Sequence, residues 1–200
     1  MNSDAIALSP IEARSMRPLV PNAVIGMLVF LGTEAMYFAG LISAFLVLRA
    51  NTPLWPPIDQ PRLPVAMTAV NTVILLLSGY TMWRAMKAIQ RDRARELVRW
   101  LAVTGALGAL FLAVQGTEWV RLVGYGLHAS SGTYGATFYT LIGSHGLHVL
   151  GGVIVLLAVL RNARNGAYTA RAHAAVDACR FYWFFVVGVW PVLYVLVYLA

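Results

Sequence analysis

Two carboxylates and two histidines stand inside strongly apolar stretches of this 200-residue chain. Glu34 lies within Leu31–Gly40, and Glu118 lies near the end of a later apolar stretch. His145 and His148 are three residues apart, a spacing that places two side chains on one face of a helix. Carboxylates and imidazoles inside a membrane mark proton-holding or ligand-binding sites. These four residues are therefore the first candidates for chemistry.

The depth of Glu34 predicts that it needs a partner. It falls about 12 residues into the first apolar stretch, or roughly 18 Å along a helix, which is close to the bilayer midplane. A carboxylate there costs at least ~2.5 kcal/mol. His145 and His148 reach a similar depth from the opposite side, and Thr33 adds a neighbouring hydroxyl. We therefore predict an intramembrane polar cluster of Glu34, Thr33, His145 and His148. In this cluster Glu34 carries a proton or hydrogen-bonds to a group that shares one.

A metal or haem site is the competing interpretation of the same residues. A di-iron bundle needs Glu-x-x-His on two helices, and the chain has no such motif. Two histidines on a single helix cannot clamp both faces of one haem. We therefore expect no metal ligands and no catalytic residue in this chain. A membrane enzyme built around a metal and a small proton-conducting membrane protein remain as weaker alternatives.

A secondary polar set, which includes Glu118, lies near the ends of the apolar stretches. Gln115 and Glu118 lie toward the end of the third stretch, where Glu118 is predicted to be an interfacial residue that reaches lipid headgroups. His173 and Asp177 border the start of the last stretch.

Composition predicts the elements that position these residues. The chain is 60% hydrophobic and 12% charged, whereas a soluble domain carries roughly a quarter of its residues charged. Water-soluble folds are therefore excluded, and a single cysteine excludes a disulfide scaffold. At about 20 residues per span, the apolar content suffices for roughly five transmembrane helices. The predicted spans are Ala23–Leu48, Pro64–Met86, Val98–Leu122, Ala136–Leu160 and Ala178–Leu199.

These spans predict an all-α, polytopic membrane bundle in which short connections make consecutive helices antiparallel neighbours. Twelve of the fifteen Lys and Arg residues fall in the N-terminal segment and in the loops after the second and fourth spans. The positive-inside rule then places the N-terminus in the cytoplasm and the C-terminus outside. The net charge of +7 thus reflects orientation in the membrane and not nucleic-acid binding. Residues 1–21 are predicted to form a cytoplasmic segment, and residues 22–200 the membrane domain.

Short motifs in a specific order run through the chain from about Pro21 to Tyr198. They are Thr33–Gly40, Trp55–Pro57, Asn71-Thr72, Ser78-Gly79, Gln115–Glu118, Tyr134–Phe138, Gly143–His148, and Phe181–Trp183 with Trp190 and Tyr194. In order and spacing they resemble subunit III of the haem–copper oxygen reductases, the cytochrome c oxidase subunit III family. Seven-helix members of that family carry two more helices before this region, so the chain is similar to the shorter five-helix form common in bacteria.

The resemblance implies a multi-pass subunit of the bacterial plasma (inner) membrane that has no redox centre of its own. Its expected partners are the catalytic subunit I, the copper-binding subunit II and membrane lipids, with haem and copper held by the partner subunits. Family members are credited with stabilising the catalytic subunit, favouring proton uptake and binding phospholipid in a cleft.

The last helix departs from the family pattern, which typically reads Trp-His-Phe-aliphatic-Asp-Val-Val-Trp. Phe184 stands where His is expected, and Val187 stands where Asp is expected. Removal of both members of a buried polar pair can leave stability nearly unchanged, whereas removal of one leaves the other buried without a hydrogen-bond partner. The paired loss indicates a divergent oxidase branch and leaves open an accessory subunit of a nitric oxide reductase-type complex.

Overall fold

The computed structural model describes residues 22–58 and 60–199, and within these ranges the chain forms five long helices. All five are long and apolar enough to span a membrane, which confirms the predicted all-α bundle of five spans. The predicted cytoplasmic segment 1–21 lies outside the described residues. The helices are α1 (Asn22–Ala50), α2 (Val65–Gln90), α3 (Ala94–Gly124), α4 (Thr133–Arg164) and α5 (Ala174–Tyr194), and a π-helical turn, Val195–Leu199, continues α5.

The helices extend past the predicted spans wherever charged residues follow the apolar stretch. Only residues 91–93 connect α2 to α3, because the flanking residues are good helix formers outside the hydrocarbon as well as inside it. Asp92 closes this turn with φ of 58°, a left-handed conformation that Asp tolerates better than most residues. Its Oδ1 accepts a hydrogen bond of 2.9 Å from the backbone N–H of Ala170. The α2–α3 turn is thereby tied to the α4–α5 loop.

Helix α1 does not pack beside α2, although α2 follows it in the chain. α2 lies against α3 and α5, and α4 also lies against α3 and α5. In contrast, α1 lies against α4 and α5, so the predicted antiparallel pairing of the first two spans is wrong. The proline-rich loop 51–64 is long enough to cross the end of the bundle, which removes the constraint that a short turn would impose.

Two fully buried tryptophans of α5 fill the core between α2, α3 and α4. Trp183 Nε1 donates to Ser78 Oγ at 3.1 Å, and Trp190 Nε1 donates to Thr72 Oγ1 at 2.8 Å. A Cβ atom at Gly108 would lie 2.5 Å from the Trp183 ring, so α3 can approach α5 only with glycine at this position. Both indole N–H groups are satisfied, as buried polar groups require.

Candidate intramembrane carboxylate–histidine site

Helices α1 and α4 meet at a carboxylate–histidine pair. Oε2 of Glu34 lies 2.7 Å from Nε2 of His148. Both residues stand near the middle of their helices, so two spans of opposite direction bring them to the same depth. The side chains of Glu34 and His148 are 16% and 19% exposed. The pair therefore lies at the margin of the bundle and is reachable from its surface.

The other ring nitrogen of His148 determines how many protons the pair holds. Nδ1 lies 2.6 Å from the carbonyl oxygen of Ser144. A carbonyl can only accept a hydrogen bond, so Nδ1 carries a hydrogen. One hydrogen then remains for the contact between Nε2 and the Glu34 carboxyl, either on the acid facing a neutral imidazole or on an imidazolium facing a carboxylate. In both forms the pair has no net charge, which meets the requirement for burial in the bilayer.

Tyrosine hydroxyls and an aromatic ring surround this pair. The hydroxyls of Tyr37 and Ser144 lie 2.9 Å apart, and Tyr182 on α5 donates to the backbone carbonyl of His148 at 3.0 Å. The Phe38 ring packs edge-on to His148, with ring centroids 5.0 Å apart. Sequence reasoning missed these residues. Tyr37 was recognisable as one turn from Glu34 on the same helix, whereas the contribution of α5 depends on packing alone.

The two other predicted members of the cluster do not hydrogen-bond to the pair. Thr33 is exposed, and its hydroxyl donates to the carbonyl of Phe30 within its own helix. His145 is fully buried and stacks on Trp190, with ring centroids 4.9 Å apart. Neither ring nitrogen of His145 has a hydrogen-bond partner among the described residues. The structure thus brings Glu34 and His148 together and places His145 in the core layer behind them.

Glu118 belongs to a second polar group, which is buried. It is 3% exposed, so the prediction that it is an interfacial residue reaching headgroups is wrong. Its Oε2 accepts hydrogen bonds from Thr68 Oγ1 at 3.2 Å and from Gln115 Nε2 at 3.3 Å. Gln115 also donates to the Tyr198 hydroxyl at 3.3 Å. Thr68 comes from α2, Gln115 from α3 itself, and Tyr198 of the C-terminal π-helical turn joins the group through Gln115.

His173 and Asp177 form a separate group at the start of α5. His173 Nε2 lies 3.4 Å from Asp177 Oδ2, and Arg180 lies 3.3 Å from the other carboxylate oxygen. Asp177, an acidic residue in the first turn, also complements the helix dipole, so this group stabilises the start of α5. Across the described ranges, no group of three or more His, Cys, Asp and Glu side chains is placed to hold a metal.

Five apolar helices with an ionisable pair between two of them define a multi-pass membrane protein. Residues 12–200 match the family model for cytochrome c oxidase subunit III. The chain is 38% identical to cytochrome c oxidase subunit 3 of Synechocystis sp., over 87% of this chain and 74% of that protein. It is 37% identical to cytochrome c oxidase subunit 3 of Thermostichus vulcanus, over 88% and 86% of the two chains. The chain belongs to the cytochrome c oxidase subunit III family, as its motifs predict.

Proposed function

We propose that the chain is the non-redox accessory subunit of a respiratory haem–copper oxidase in a bacterial plasma membrane. The observation that carries this proposal is the family match over residues 12–200. The subunit packs beside catalytic subunit I and copper-binding subunit II, which hold the haem and copper, and it stabilises the catalytic subunit. The largely uncovered apolar surface of α1, where only three residues are buried, supports a role that includes contact with other membrane components.

We further propose that the Glu34–His148 pair is the proton-holding group through which the subunit supports proton uptake. Nε2 of His148 and the Glu34 carboxyl share one hydrogen, and the pair lies near the middle of two spanning helices and is partly exposed. A proton can move between the carboxyl and Nε2 without creating net charge. His145, Gln115, Glu118, His173 and Asp177 then serve packing and helix ends.

An accessory subunit of a nitric oxide reductase-type complex is the second candidate. It is favoured by the apolar residues at the two positions of α5 where the oxidase pattern is polar. Val187 packs against Gly79, and Phe184 is 37% exposed. Neither position retains a proton-carrying group. The two candidates differ in the substrate of the complex and share the accessory role.

Purification of the complex through a tag on this chain tests the accessory role. We expect subunits containing haem and copper to co-purify and the complex to consume oxygen, while the chain alone is inactive. A complex assembled without this chain should lose activity faster during turnover. Oxygen reduction by the isolated chain, or purification without any haem-containing partner, would contradict the proposal. Consumption of nitric oxide in place of oxygen would favour the second candidate.

An apolar carbodiimide tests the proton-holding pair, because this reagent partitions into the bilayer and reacts with protonated carboxyl groups. We expect Glu34 in the intact complex to be labelled and Glu34→Gln to abolish that label. The matched control is Glu96→Gln, which removes an exposed acid paired with Arg93. Labelling of Glu96 without labelling of Glu34, together with normal turnover of Glu34→Ala, would eliminate the proton-holding role.

A further inference from the structure

His145 is a fully buried imidazole in the middle of the bundle that lacks a hydrogen-bond partner. Neither Nδ1 nor Nε2 meets a donor or an acceptor in the described part of the chain. A neutral imidazole has one N–H donor and one nitrogen acceptor, on different sides of the ring. Buried groups of this kind are almost always paired with protein or with ordered water, because burial without a partner is costly. The packed helices alone do not provide the partner that this imidazole needs.

Asn71 on α2 presents another unpaired polar atom to the same residue of α3, Phe111. The side-chain amide of Asn71 donates to the Phe111 carbonyl at 3.2 Å. Its Oδ1 has no partner among the described residues, although Asn71 is also fully buried. The Phe111 ring in turn lies edge-on to the His145 ring, with centroids 6.1 Å apart. An unpaired acceptor of α2 and an unpaired imidazole of α4 therefore both lie against Phe111.

A cavity between α3 and α4 is lined by neighbours of these residues. Its volume is about 230 Å³, and its lining includes Gln115 and Trp119 on α3 and Gly146 on α4, the residue that follows His145. The indole Nε1 of Trp119 is also buried without a partner among the residues that the structure describes. Because a cavity needs only about 10–15 Å³ to hold a water molecule, this one has room for several.

We propose that ordered water molecules bind in this layer of the bundle and hydrogen-bond to the His145 imidazole and to Asn71 Oδ1. Water both donates and accepts, so it can satisfy the amide oxygen and either nitrogen of a neutral imidazole. Asn71 Nδ2 lies 3.5 Å from Gln115 Oε1, and Gln115 Nε2 donates to Glu118 at 3.3 Å. The waters thus extend the buried polar group of Glu118 to His145 and join α2, α3 and α4 in one hydrogen-bonded network.

Solid-state NMR of the full chain in lipid bilayers tests this site through polarisation transfer from water protons to ¹⁵N-labelled histidine and tryptophan. We expect the His145 imidazole to receive signal from water at short transfer times, although the side chain is fully buried. The spectrum of His145→Phe assigns the resonance. Nε1 of Trp183 is the matched control, because Trp183 is equally buried and its indole N–H is already satisfied by Ser78 Oγ. It should receive no signal at these times.

Replacement of Asn71 tests whether the same water reaches both residues. Asn71→Leu removes Oδ1 at similar volume, so the signal at His145 should fall to the level of Trp183. Thr104→Val is the matched variant, because it removes a buried hydroxyl that contacts Thr81 at 2.8 Å. Thr104 lies roughly 10 Å along α3 from Phe111, so this variant should leave the signal at His145 unchanged.

Absence of transfer from water to His145 in the wild type would overturn the proposal, and this result needs no variant. Unchanged transfer in Asn71→Leu would overturn it as well, because the water would then not bridge the two residues. Transfer to Trp183 equal to that at His145 would also overturn it, since water would then enter the core without a specific site. The site lies apart from the Glu34–His148 pair, so none of these results bears on the proposed accessory role.

Discussion

The carbonyl of Ser144 requires a hydrogen on Nδ1 of His148, which leaves Nε2 to face Glu34. Glu34 faces a titratable partner and shares one hydrogen with it. Glu118 has no such partner, because its hydrogen-bond donors are a hydroxyl and an amide that do not titrate. Two membrane-buried carboxylates thus have distinct properties: the first can exchange a proton with its partner, and the second stabilises the packing of α2 on α3.

Replacing Glu34 should separate hydrogen bonding from proton exchange. Glu34→Ala leaves Nε2 of His148 without its partner and should destabilise the chain by about 1–3 kcal/mol. Glu34→Gln retains a donor to Nε2 and should unfold close to the wild-type temperature. Thermal unfolding in detergent measures the difference. Glu96→Gln is the control, since an exposed ion pair contributes about 0–1 kcal/mol. A wild-type unfolding temperature for Glu34→Ala would show that the pair does not contribute to stability.

At the scale of the helices, glycines opposite large side chains set how closely α3, α4 and α5 approach. Gly108 on α3 and Gly152 on α4 both face the Trp183 ring, and Gly105 faces Leu156. Membrane helices pack closely through such small residues, because burial of apolar surface from lipid gives little driving force. Trp183 cannot withdraw easily, since its indole N–H is held by Ser78.

Substitution of Gly108 by Ala should therefore destabilise the bundle. The added Cβ would lie 2.5 Å from the ring of Trp183, and overpacking of this kind costs about 1–3 kcal/mol. Gly116→Ala on the same helix is the control, because nothing lies within 4 Å of its Cβ position and Ala favours the helix by up to ~1 kcal/mol. Unfolding temperatures in detergent should fall for Gly108→Ala and not for Gly116→Ala. Equal temperatures would mean that α3 and α5 pack less tightly than described.

At the scale of the whole molecule, the position of α1 is the main departure from chain order. Only Val24, Phe38 and Phe45 of its residues are buried. Half-buried Trp55 packs edge-on to Phe45 and Tyr134, with ring centroids 5.7 Å and 5.0 Å away, and joins the end of α1 to the start of α4. Because α1 lies beside α4 and α5, the chain can form the Glu34–His148 contact.

Cross-linking tests this arrangement directly. The rings of Phe30 on α1 and Tyr182 on α5 lie 6.2 Å apart. In a Cys179→Ala background, Phe30→Cys with Tyr182→Cys should be joined by a short bis-thiol reagent, and mass spectrometry should detect the intramolecular product. The control pair is Phe30→Cys with Tyr80→Cys, because Tyr80 lies at a similar depth on the exposed face of α2, and this pair should not react. The reverse pattern would place α1 beside α2.

The distribution of charge predicts the orientation of the molecule in the membrane. Twelve of its fifteen Lys and Arg residues fall in the N-terminal segment and in the loops after the second and fourth spans, so we expect a reporter fused to the C-terminus to be active only if it functions outside the cytoplasm. A fusion that follows residue 92 is the matched control and should report the cytoplasm. A C-terminal fusion that fluoresces only in the cytoplasm would reverse the orientation.

Hydropathy and the helical rise determined the number of spans and the depth of each residue. Five apolar stretches predicted five helices, and the rise per residue placed Glu34, His145 and His148 at similar depths. The ordered motifs predicted the family. These properties follow from distance along the chain, and no contact between helices is needed to derive them.

Only the tertiary structure decided which way the side chains at those depths face. His145 and His148 are about 60° apart around α4, and the position of α1 directs one to Glu34 and leaves the other in the core. Glu118 is buried for a similar reason, because α2 packs against this face of α3 and supplies Thr68. In a soluble helix the apolar stripe marks the inward face. In a bilayer both the lipid and the protein interior are apolar, so hydropathy indicates the depth of a residue but not whether its side chain faces lipid or protein. Packing between helices determines which way the side chain faces.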